Sequence, residues 1–178
     1  MNSYRITKYN PSNRDEYNAY SSDEWTAISD VGEEFSGVVF KLEEYLRVEE
    51  LYVAAIIEMM ECVGIKGLMV ADLERYYETP RITSHHQIYT EQMVQLYHTV
   101  SENQFVSGQV LRDLCKLILR ELMGFRLIFE DKMFVHFGYD YYMYIGVNNV
   151  CKDAIDSIQA SGLFIEECES PYYQEDND

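Results

Sequence analysis

The side chains with which chemistry could begin in this 178-residue chain are four histidines, four cysteines and 31 carboxylates. His85 and His86 are adjacent and must point in different directions, and His98 belongs to a different segment, so their spacing builds no metal cage. His136 alternates with Val135 and Phe137 and reads as a half-buried sheet histidine. Cys62, Cys115, Cys151 and Cys168 are scattered without a C-x-x-C pair, and three of them stand where a helix or strand pattern asks for a small apolar residue. They read as free thiols of a reducing compartment rather than as a disulfide framework or a metal site. Neighbouring glutamates such as Glu43 and Glu44 diverge by about 100° on a helix, so they form no carboxylate dyad. The chain has no P-loop, G-x-G-x-x-G, H-E-x-x-H or G-x-S-x-G. The reading is of a protein that is not an enzyme, with no catalytic residue, no cofactor and no metal.

What remains is charge. Against the 31 acids stand 14 lysines and arginines, a formal net charge of −17. That exceeds what solubility asks of a small domain, and its self-repulsion costs stability. It argues against direct binding of nucleic acid or of an anionic membrane, both of which need an excess of Lys and Arg. The densest stretch runs from Asp15 to Glu50, where eleven acids face only Lys41 and Arg47. A charge run is commonly just a solvated face. Clustering along one helix and the segment leading into it, however, is what an electrostatically steered interface requires. Asp30, Glu33, Glu34, Glu43, Glu50, Glu58 and Glu61 are therefore the candidate contacts for a cationic partner.

The helix that must carry most of these is the stretch from Lys41 to Gly64. Leu42, Tyr45, Leu46, Tyr52, Val53, Ile56, Met59, Met60 and Val63 recur at three- and four-residue spacing and make its core side. Glu43, Arg47, Glu50, Glu58 and Glu61 recur on the opposite side as an acidic ridge. Gly64 supplies the stop. Trp25, Ile28, Val31 and Phe35 place an apolar edge against this helix. A second helix begins after Ser107 and closes at Gly124, with Arg112, Lys116 and Arg120 as a basic stripe along its exposed side that could neutralise neighbouring acids.

Other elements complete the outline. Tyr4–Tyr9 alternates as a short edge strand, Tyr89–Val100 reads as a helix, and Leu68–Ala71 is either a buried strand or the start of a helix. From Phe125 the period changes to two, giving a hairpin and a third strand over Tyr141–Val147. The aromatic block Phe134–Tyr144 is either a sheet face under the helices or a recognition surface, and the alternation leaves open which face is which; if Tyr141, Met143 and Ile145 point inward, Tyr142 and Tyr144 point outward as an aromatic anchor to add to the acidic contacts. A last helix over 150–161 and a strand over Leu163–Ile165 follow. The expected fold is α+β: a predominantly helical single domain over 1–168, with a small antiparallel sheet from the C-terminal half. Residues 169–178 form an acidic tail expected to be disordered. MNSYRITKYN is polar and lacks the apolar run of a signal peptide, and no window approaches a membrane span, so the expected compartment is the cytoplasm.

Three stretches carry a resemblance: RITKYNPSNRDEYNAYSSDEWTAISDVGEEFSG, EEYLRVEELYVAAI and LRDLCKLILRELMGFRLIFEDKMFVHFGYDYYMYIG. From Tyr4 to Ile145 the chain resembles the immunity proteins encoded beside bacterial polymorphic and contact-dependent growth inhibition toxins. W-T-x-I-S-D-V-G and F-G-Y-D-Y-Y-M-Y-I are the most distinctive segments. Neither is an active-site signature, so the resemblance transfers a role and not a mechanism. It implies a cytoplasmic antidote that binds the C-terminal domain of one cognate toxin. Nucleases are a large class of such toxins, and a nuclease has a cationic groove for phosphates that an acidic inhibitor can occupy. The alternative is an acidic regulatory protein or DNA mimic that binds another basic partner.

Overall fold

A computed structural model describes residues 1–17, 20, 22–80, 82 and 85–172. In chain order its strands are β1 (Asn2–Thr7), β2 (Glu34–Phe35), β3 (Val38–Val39), β4 (Gly67–Arg75), β5 (Phe105–Ser107), β6 (Met123–Phe129), β7 (Met133–Phe137), β8 (Met143–Val147) and β9 (Phe164–Glu167). Four α-helices intervene: α1 (Leu42–Cys62), α2 (Glu91–Thr99), α3 (Gly108–Leu119) and α4 (Lys152–Ala160). Seven strands form one antiparallel sheet in the order β5-β4-β6-β7-β8-β1-β9, and β2 and β3 form a separate hairpin.

The expectation of a predominantly helical chain is corrected by this sheet: the fold is mixed α+β, 36% helix and 27% strand. Two elements show how the sheet grows. The short apolar run at Leu68–Ala71, ambiguous by periodicity, lies in the first half of the nine-residue β4. Tyr4–Tyr9 holds not an edge strand but β1, paired on both sides with β8 and β9. Inside the sheet the Arg5 charge is met by Glu166 of β9, which stands opposite it and accepts from its guanidinium at 2.9 Å. Strands therefore come from the beginning, the middle and the end of the chain.

The period-two pattern settles which face is core. Leu127, Val135, Ile145 and Tyr4 are cross-strand neighbours on one face and belong to the same buried cluster as Tyr45, Tyr52 and Ile56 of α1 and Leu111 and Leu114 of α3. Their neighbours Arg126, His136, Tyr144 and Arg5 stand on the opposite face. Two of the buried tyrosines pair their hydroxyls with backbone carbonyls, as burial favours. Tyr45 donates to the Leu119 carbonyl at 3.1 Å and Tyr52 to the Tyr141 carbonyl at 2.6 Å. Trp25 is fully packed, stacked on Phe40 at 4.4 Å and edge-on to Tyr141.

The second face is crossed by the chain after β9. Ser170 Oγ lies 2.7 Å from His136 Nδ1, and the Tyr172 ring packs edge-on against Tyr144. Of the expected tail, residues 169–172 are thus seated on the sheet, while 173–178 fall outside the described residues.

The cysteine expectation is also corrected, because Cys62 and Cys151 form a disulfide with a Cα–Cα distance of 5.8 Å. The end of α1 and the start of α4 meet only in three dimensions, so 89 intervening residues hid the pair. Cys115 and Cys168 are free. Among the described residues, no helix is long and apolar enough to cross a membrane.

Candidate functional site

The acidic helix α1 turns out to have a neutralised middle. Glu49, which the sequence leaves among solvated acids, is buried together with Arg120, their side chains 1% and 3% exposed. The guanidinium grips both carboxylate oxygens at 2.6 and 2.7 Å, donates to the Ile88 carbonyl at 2.9 Å and lies over the Tyr89 ring. Burial pushes the Glu49 carboxyl above the ordinary carboxylate range, and the Arg120 charge opposes that push. Glu50 is exposed but engaged: Lys116 bonds one carboxylate oxygen and Arg112 stands 3.9 Å from the other. Arg112, Lys116 and Arg120 follow one another at i,i+4 on α3, so one row of cations is spent on two adjacent acids.

The N-terminal end of α1 is different. Glu33, Glu34 and Glu43 are exposed, and none has an ion-pair partner among the described residues. Asp30 is tied up locally, accepting from the Thr26 and Ala27 amides at 2.7 and 3.0 Å to close the 3₁₀ turn at Ile28–Asp30. Glu44 is held by Arg47 at 2.7 and 2.8 Å, and that hydrogen bonding keeps its carboxyl below the ordinary range.

At the C-terminal end, Glu58 and Glu61 line a cleft of 590 Å³ with Asp153, Lys152 and the Cys62–Cys151 disulfide. Glu61 is exposed, whereas Glu58 is half-buried, with one carboxylate oxygen enclosed and unbonded. Neither has an ion-pair partner among the described residues. Of the seven candidate acids, Asp30 and Glu50 are used by the chain itself, and the other five fall into two groups, Glu33, Glu34 and Glu43 towards the start of α1 and Glu58 and Glu61 towards its end.

The aromatic candidates are placed on the sheet's second side as the alternation requires. Tyr142 is half-buried among Tyr9 and Tyr20, with the Arg5 guanidinium 5.5 Å from its ring centre. Tyr144 is buried beneath Tyr172. Near them lies a cation that sequence reasoning passed over: the Lys8 ammonium sits 3.8 Å from the Tyr9 ring centre and 4.1 Å from that of Trp25, with Glu24 at 3.5 Å. Burial lowers its pKa to about 8, against the pull of Glu24.

His136 is enclosed, its pKa lowered to about 4 by burial and then by Arg126, with Asp72 opposing. No group of histidines, cysteines and carboxylates able to hold a metal occurs among the described residues. One feature had no signal in the candidate list: the hairpin just before α1 leaves Val38 and Val39 exposed beside Glu33 and Glu34. Its only sequence clue was Ser36-Gly37, a two-residue turn between short apolar stretches.

Compared with known proteins, the chain matches no protein-family model, no curated protein and no solved structure. The functional reading rests on its own residues and on the resemblance described above.

Proposed function

We propose that this chain is a binding protein for a basic protein partner, and that the partner is a toxin domain whose cationic groove it covers. The observation that carries the reading is the contrast along α1. Carboxylates in the middle of the helix are matched by α3, while Glu33, Glu34 and Glu43 at one end and Glu58 and Glu61 at the other are not. Unmatched surface charge repels itself and costs stability, so two such clusters on one side of a helix suit an external countercharge. Opposite charge on a partner speeds the encounter and suppresses wrong partners. The resemblance to immunity proteins supplies the class of partner, and a nuclease toxin is the member of that class whose phosphate-binding groove best fits a net charge of −17.

The test is binding to the catalytically inactivated product of the reading frame beside this gene. Titration calorimetry should give a complex whose affinity falls steeply as salt rises from about 50 to 500 mM, as the shrinking screening length dictates. Reversal of Glu34 and Glu43 to Lys should weaken it at least about tenfold. A complex indifferent to both salt and these reversals contradicts the proposal.

A further inference from the structure

The β2–β3 hairpin is fastened at its turn and base, yet its second strand covers nothing. Ser36 and Gly37 have φ of 50° and 82°, the pair of positive values that a tight two-residue hairpin turn requires. Asp23 accepts the Ser36 amide at 3.0 Å and pins that turn from outside. At the base, the Gly32 amide donates to the Phe40 carbonyl and the Phe40 amide to the Glu33 carbonyl, and Phe35 packs edge-on against Phe40, which is itself stacked on Trp25. Successive residues of a strand face opposite ways. Val38 and Val39 are nonetheless 69% and 51% exposed, so β3 is bare on both faces and the hairpin projects from the body.

Apolar side chains on a rigid projection bordered by carboxylates have the makings of an interface anchor: an apolar centre within a charged border. We infer that the hairpin is a plug that inserts Val38 and Val39 into an apolar depression on the partner, with Glu33 and Glu34 pairing to lysines and arginines around its rim. The inference rests on the basic protein partner proposed above and adds the chemistry of contact. The acids bring the partner in, and the valines hold it. Charge chooses the occupant. A second copy of this chain would set Glu33 and Glu34 against their own kind, whereas a cationic surface complements them. Lys41, one residue beyond the hairpin base, is the nearby exposed cation in the sequence, and it does not offset the two glutamates and Asp23. Because turn and base are already fixed, binding orders little chain, which favours affinity.

The experiment titrates the inactivated product of the adjacent reading frame with wild type, Val38→Ser/Val39→Ser and Glu33→Gln/Glu34→Gln at two salt concentrations. The valine variant should melt within about 2 °C of wild type, because both side chains are already in water. It should bind about 10- to 100-fold more weakly with an unchanged salt dependence, as expected for lost apolar burial. The glutamine variant should instead flatten the salt dependence. Wild-type binding with a valine variant within twofold of it overturns the plug and leaves the proposed partner standing. Failure of wild type to bind overturns both.

Discussion

The middle of α1 and its two ends are built from the same residue types and put to opposite uses. At Glu49 and Glu50 the carboxylates face α3 and are met by Arg120, Lys116 and Arg112. Towards the two ends of α1, Glu34, Glu43, Glu58 and Glu61 form no ion pair among the described residues, although Lys152 lines the same cleft as Glu58 and Glu61. The difference teaches that acidic composition alone says little about an interface. What matters is which acids the fold has already neutralised.

The sharpest way to break the comparison is at the buried pair. Arg120→Ala strands Glu49 without a counterion and should cost about 3–5 kcal/mol in urea unfolding, whereas replacing both partners with leucine or methionine should recover much of that loss. If the single substitution proves mild, the middle of α1 is not the electrostatically closed region described here. The C-terminal end depends on a different bond. Helix α4 buries only Ile158 fully and is fastened to α1 by Cys62–Cys151, so reduction, or Cys62→Ser with Cys151→Ser, should destabilise by about 2–4 kcal/mol. Hydrogen exchange should rise first in Lys152–Ala160, while α3 stays protected.

Acid pH offers a smaller effect that must be separated from the carboxylates. The folded pKa of His136, about 4, lies below its ordinary 6.5, so the fold favours the neutral ring. Its contribution is fully present above pH 6.5 and is lost as pH falls through 6.5 towards 4. Stability measured across that window should decline, and His136→Gln should flatten the decline. The contact reporting it is the one to Ser170, so the protection of the Ser170 and Tyr172 amides, relative to their intrinsic exchange rates, should fall in the same range.

How much of this was legible beforehand depended on range. The core face of α1 and the capacity of the α3 cations to neutralise nearby acids were readable, because helical spacing is local and fixes which side chains share a face. The β6–β7 hairpin and the alternation of Met143 and Ile145 against Tyr144 were readable for the same reason in period two, but period two alone did not say which set faced the core. The central position of β1 was not, since only the distant Glu166 makes Arg5 acceptable inside a sheet. Cys62 and Cys151 were hidden by 89 residues of separation. Glu50 looked like any ridge acid until packing placed it beside Lys116, and Tyr144 looked exposed until Tyr172 covered it.

Charge neutralisation in the middle and at one end of α1 probes the central claim most directly, with the inactivated partner as ligand. Glu50→Gln removes a charge already matched by Lys116 and Arg112, so its affinity should stay within about twofold of wild type. Glu34→Gln/Glu43→Gln removes two unmatched charges and should weaken binding by about tenfold. Equal losses from the middle and from the end would contradict the account.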